Sequence, residues 1–136
     1  MNKRKKLLAL IPALWASLFD TVITIVHQPK EYWNGNLNVG NEANDIGNFM
    51  MKQHVSGIFI VCGIWLILIG ILGYHIPKKY SRIFLLFVLM AHSFGAGGWL
   101  HTHYGFWTAI IFILINAILF YKIEDLINKE NVESGI

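Results

Sequence analysis

Four apolar stretches, residues 7–26, 55–76, 83–100 and 104–121, restrict this chain to one kind of fold. Each is close to the ~20 residues a helix needs to cross the hydrocarbon core of a bilayer. Lipid admits only helices and closed barrels. Runs such as Ile110-Ile111-Phe112-Ile113-Leu114-Ile115 lack the alternation of barrel strands. The expected fold is therefore all-α: a polytopic membrane protein of four transmembrane helices, forming one domain over residues 1–136. Composition agrees. Charged residues make up 14% of the chain and mean hydropathy is +0.51, whereas a soluble domain carries about 25% charge. Such a chain is too apolar for disorder, and the lone Cys62 excludes a disulfide scaffold.

The first stretch follows a basic run, Lys3-Arg4-Lys5-Lys6, and passes a cleavage-like Leu14-Trp15-Ala16. It stays apolar well beyond that point, so it reads as an uncleaved signal-anchor helix. Lys and Arg then set the orientation. They cluster at Lys3 to Lys6, at Lys78, Lys79 and Arg82, and at Lys122 and Lys129. The segment 28–53 has Lys30 and Lys52 balanced by Glu31, Glu42 and Asp45. Both termini are expected in the cytoplasm, with the long loop 28–53 outside. The expected setting is a bacterial cytoplasmic (inner) membrane. Basic charge here is a topology signal, so the expected partners are the lipid bilayer and a second membrane protein or copy of the chain, with no nucleic acid. Tyr32, Trp33, Trp99, Tyr104 and Trp107 suit the outer interface. Ser56, Gly63 and Gly70 in the second span, and Ala91, Gly95, Gly97 and Gly98 in the third, are expected helix contacts, with Asn116 as interhelical glue.

An ionisable side chain inside a span costs at least ~2.5 kcal/mol and marks a functional hypothesis. Asp20 lies ~10 Å below the outer boundary at 1.5 Å per residue. Ser17, Asp20, Thr24 and His27 share one helix face and are expected to line the bundle interior. His92 lies ~14 Å deep by the same rise, a depth similar to that of Asp20, with small residues following it. His92, Trp99 and His103 share a face as well. Glu42, Asp45, His54, His101 and His103 occupy the outer layer, while His75 sits at the inner end. Asp20, Glu42 and His92 are thus the candidate catalytic acid–base groups. Asp20, Glu42, His54 and His92 are the candidate ligands of a divalent metal, since imidazole and carboxylate complete many such sites. No diagnostic metal or nucleophile motif accompanies them.

Two segments, Asp20-Thr21-Val22-Ile23-Thr24 and Gln28-Pro29-Lys30-Glu31-Tyr32-Trp33, are followed by Asn41-Glu42-Ala43-Asn44 and later by His92-Ser93-Phe94-Gly95 with Trp99. This combination resembles a family of small bacterial four-helix integral membrane proteins with Asp-Thr-x-x-Thr, Gln-Pro-x-x-Tyr-Trp and Asn-Glu elements. The family pattern has Pro where this chain has Asp45. The resemblance implies the architecture and no activity.

Three function classes follow. The favoured one is an outward-facing intramembrane polar site that binds a divalent metal or handles protons, with hydrolysis by metal-activated water as its chemistry. The second is a non-catalytic accessory or assembly subunit of a membrane complex. The third is a b-type haem electron carrier, for which the deep layer offers only His92.

Overall fold

The computed structural model describes residues 3–133, and every regular element among them is helical. Helix α1 spans Lys3–Val26. The connection that follows carries α2 (Lys30–Trp33), a 3-10 turn at Leu37–Val39, and α3 (Asp45–Met51). Helices α4 (Gly57–His75), α5 (Lys78–Tyr104) and α6 (Phe106–Glu133) complete the chain. Four helices, α1, α4, α5 and α6, are long and apolar enough to cross a membrane, which suits an integral membrane protein.

Helices α1, α5 and α6 outrun their apolar stretches at the basic ends, whereas α4 stays within its own. Helical hydrogen bonding does not stop where the apolar residues do, and Lys and Arg keep their charged heads in polar surroundings. Residues 101–103, expected as a turn, are instead the last turn of α5. The turn is the single residue Gly105, whose φ of +93° is open to glycine and strained for other residues.

Contacts at both ends fix an up-down-up-down arrangement. At one end Lys6 Nζ donates to the Tyr74 carbonyl at 3.0 Å, and Arg82 pairs with Glu124. At the other, His27 Nε2 lies 3.1 Å from Tyr104 Oη. Helix α1 packs on α4, α5 and α6, and α5 packs on α4 and α6, so α1 and α5 form the centre. Leu10, Ala13, Ile69, Leu85 and Val88 make one core cluster near the basic end. Ile23, Ala96 and Phe112 make a second one, closer to the opposite end. The outward faces are apolar: Ile67, Phe87 and Phe94 are 63%, 64% and 83% exposed. Large exposed apolar surface of this kind marks a membrane-facing or partner-facing side.

The small residues follow the sequence expectation only in part. A Cβ on Gly63, Gly70 or Gly98 would meet nothing within 4 Å, and one on Gly97 would only touch Ile113 at 4.0 Å. Close approach occurs at Gly73, against Leu10 and Leu85, and at Gly95, against Asp20. Asn116 does cross-link helices: its Oδ1 accepts from Trp15 Nε1 at 3.1 Å and its Nδ2 donates to Ser93 Oγ at 2.8 Å.

Tyr32 also departs from expectation. It is fully buried with Met51 and Ile58, and its hydroxyl donates to the Val55 carbonyl at 3.1 Å. The Gln28 side chain ties the connection to α1. Its Nε2 donates to the carbonyls of Thr24 (3.1 Å) and Asn41 (2.7 Å), and its Oε1 accepts from the Asn41 N–H at 2.8 Å. The segment is thereby folded against the end of the bundle.

Candidate functional site

A cavity of about 300 Å³ opens between α1, α3, α4 and α5. Asp20, Thr21 and Thr24 line it from α1, Trp65, Cys62 and Val61 from α4, and His92 from α5. Glu42, Asn44, Ile46 and Gly47 close it from the connection and α3.

Its polar centre is a chain of three side chains. His92 Nδ1 lies 2.8 Å from Asp20 Oδ2. Trp65 Nε1 donates to His92 Nε2 at 2.6 Å. An indole N–H can only donate, so Nε2 must present its lone pair. The imidazole is then neutral with its proton on Nδ1, where it donates to the Asp20 carboxylate. Protonating Nε2 would set two N–H groups head to head, so that event and the Trp65 contact exclude each other. Gly95 makes the Asp20 approach available: a Cβ there would lie 2.8 Å from Asp20 Oδ2.

Glu42 faces the same cavity by a separate device. Its Oε1 accepts from the Asn44 N–H at 2.7 Å. Asn44 in turn caps α3, its Oδ1 accepting from the N–H groups of Ile46 (2.9 Å) and Gly47 (3.2 Å). Glu42 lies over Gly47, where a Cβ would meet its Cγ at 2.8 Å. Burial pushes the Glu42 carboxyl above its usual range; the Asn44 N–H opposes this, and the Asp20 charge adds to it. The cavity thus holds two carboxyl groups and a neutral imidazole, with no Lys or Arg in its lining.

The structure therefore brings together Asp20, Glu42 and His92 and leaves His54 outside. His54 is exposed, with Nδ1 near Ser56 Oγ at 2.8 Å. Asp45 is exposed in the first turn of α3. Along the Ser17–His27 stripe, Ser17 and Thr24 are buried, and Ser17 Oγ has no hydrogen-bond partner. His27 turns to a different group, with His103 at 4.0 Å and Trp99 at 5.8 Å between ring centroids. His103 and His101 are exposed, and His101 meets Phe106 edge-on.

The metal expectation does not fit this donor set. Among the described residues no three His, Cys, Asp or Glu side chains are grouped to hold an ion. His92 has one ring nitrogen protonated towards Asp20 and the other engaged by Trp65. Trp65 is the participant that sequence reasoning missed. Its signal was present: a tryptophan in mid-span, far from the interfaces that Trp favours, needs a buried acceptor for its N–H.

No family model, no curated protein and no solved structure matches the chain.

Proposed function

We propose that this chain is a small integral membrane protein whose extracytoplasmic cavity handles protons through Glu42 and the Asp20–His92–Trp65 chain, without a metal. Basic residues at Lys3 to Lys6, Lys78, Lys79 and Arg82 support a cytoplasmic location for the opposite end of the bundle. A bacterial inner membrane is the setting this topology suits.

One observation carries the reading. Two carboxyl groups share a cavity with one imidazole and no Lys or Arg. Buried charge is normally paired or neutralised, and the Trp65 N–H occupies the His92 Nε2 that a second proton would need. Neutralising the cavity therefore requires a proton or a bound cation. The titratable groups facing Glu42 are Asp20 on α1, Cys62 on α4 and His92 on α5. A carboxyl poised in this way exchanges a proton with water at the cavity mouth.

Carboxyl-labelled protein in a non-ionic detergent tests the proposal by carbon NMR. Glu42 is expected to protonate above the ordinary glutamate range. Nitrogen spectra of His92 are expected to show the proton on Nδ1. A Glu42 carboxyl that titrates as in a free peptide, or a proton on His92 Nε2, would overturn the reading.

A further inference from the structure

We infer that the cavity binds an organic ammonium ion, with its charged head between Asp20 and Glu42 and its apolar body against Val61, Trp65 and Ile46. This rests on the reading of an uncompensated acidic cavity and names the ligand class for it.

Charge comes first. The lining offers two carboxyl groups, no Lys or Arg, and one imidazole whose Nε2 accepts from Trp65, so a ligand that completes it is a cation. Both acids are seated against glycine backbone, Asp20 on Gly95 and Glu42 on Gly47, where an added Cβ would displace them. Each acid rests on a helical glycine, Gly95 of α5 or Gly47 of α3, which limits its side-chain reach.

Size and chemistry then separate the kinds of cation. A bare calcium ion wants six to eight oxygens and magnesium wants an octahedron, and the lining groups no such set. The space is about 300 Å³, at the lower end of the range for small-molecule pockets, which are mostly apolar with a few placed polar groups. Val61, Ile46, Cys62 and Trp65 supply that apolar wall. A Trp beside carboxylates is also the surrounding in which alkylammonium groups are held, because the ring face attracts the cation. Trp65 cannot swing freely, since its N–H is fixed on His92 at 2.6 Å. Ile46 is 69% exposed at the cavity edge and Phe49, one turn on, is 63% exposed. Ile46 gives the mouth an apolar edge, which suits entry of an amphiphilic cation.

Calorimetry on the full chain in a maltoside detergent tests this, with benzyltrimethylammonium as probe. Its uncharged carbon isostere, neopentylbenzene, is the control. One probe per chain is expected, with the isostere at least tenfold weaker. Glu42→Gln should weaken the probe at least tenfold. Val61→Phe, which fills the apolar wall without touching either acid, should do the same, and it serves if Glu42→Gln fails to fold. Equal binding of probe and isostere, no saturable binding, or unchanged affinity in the folded variants would overturn the proposal. Nanodiscs identify the source of the ligand. Binding is taken relative to Glu42→Gln in the same nanodiscs, which removes the attraction of anionic lipid for the probe; a weaker ratio in phosphatidylcholine than in phosphatidylglycerol supports a lipid headgroup as occupant, and an equal ratio supports a free ammonium ion. Nitrogen spectra of His92 in the same samples keep the two ideas apart. A proton on Nδ1 without probe binding refutes the ammonium ligand alone, and a proton on Nε2 refutes the underlying reading of the site.

Discussion

Replacing Gly95 by alanine is the sharpest perturbation of the polar chain, because it acts on Asp20 without changing any polar group. The new Cβ would lie 2.8 Å from Asp20 Oδ2 and 3.0 Å from Oδ1, where ordinary contact begins at 3.4 Å. The carboxylate must retreat from α5 by about half an ångström to reach that contact, and hydrogen bonds weaken beyond about 3.2 Å. His92 sits one turn earlier on the same helix, so retreat from Gly95 is also retreat from His92. The 2.8 Å bond between them stretches towards the limit. A hydrogen bond to a charged group contributes about 1.5–3 kcal/mol, and stretching forfeits a large part of that.

Alanine also favours helix over glycine by about 1 kcal/mol, which would hide the loss. Gly98→Ala on the same helix supplies the correction, since a Cβ there meets nothing within 4 Å. The expected result is that Gly95→Ala is less stable than Gly98→Ala by about 1–3 kcal/mol, the usual range for overpacking. Reversible unfolding in mixed micelles measures the difference. Proton NMR of the His92 Nδ1–H should show a weakened hydrogen bond in Gly95→Ala and an unchanged one in Gly98→Ala. Equal stability of the two variants, with the His92 proton resonance unmoved, would refute the argument that Gly95 seats Asp20.

Asp20→Asn should remain folded within about 1 kcal/mol of the parent, because the amide oxygen still accepts from His92 and removing a partly buried charge lowers the desolvation cost; thermal unfolding checks this, and collapse of the fold would make Asp20 a structural residue. Gln28→Ala removes one hydrogen bond to Thr24 of α1 and two to Asn41, an expected loss of about 2–3 kcal/mol at roughly 1 kcal/mol each. Hydrogen exchange should accelerate over residues 28–51 in that variant, and unchanged protection would contradict the tether. Glu42 gives a signed pH effect: its carboxyl is raised in the folded state, so its contribution is fully present below the ordinary glutamate value and is lost as pH rises through the raised one. Stability profiles of parent and Glu42→Gln should differ by that falling slope, and parallel profiles would argue against a buried Glu42.

The fold was largely legible because each apolar run is near the length a bilayer imposes, and no other architecture satisfies the backbone there. Helix ends were less so. Apolar composition stops at residue 100, whereas backbone hydrogen bonding in α5 continues to Tyr104 and ends only at Gly105. The depths of Asp20 and His92 followed from helical rise, but their contact did not, because rise along each helix says nothing about which helices are neighbours. The heptad of Ser56, Gly63 and Gly70 misled for a related reason. Small residues permit close packing without requiring it, and the crossing occurs at Gly73. Tyr32 was assigned to the interface by its type, yet Met51 and Ile58 bury it once the connection folds back.

The same bundle contains a comparison that bears on what the polar chain is for. Two tryptophan-led chains cross it. In one, Trp15 donates to Asn116, which donates to Ser93. In the other, Trp65 donates to His92, which donates to Asp20. Ser93 and His92 are adjacent on α5, so both chains pass through one turn of the central helix. The first is built wholly from neutral groups and links α1, α5 and α6. It shows that neutral side chains are enough to pin helices together here. The second links α1, α4 and α5 with an imidazole and a carboxylate, and it opens onto a cavity where Glu42 adds a second acid. An ionisable group in a span costs more than an amide or a hydroxyl doing the same linking. Under the proposed function, that added cost is offset by presenting charge to whatever enters the cavity. Asp20→Asn converts the second chain into a copy of the first, so it should keep the helices together while removing that charge.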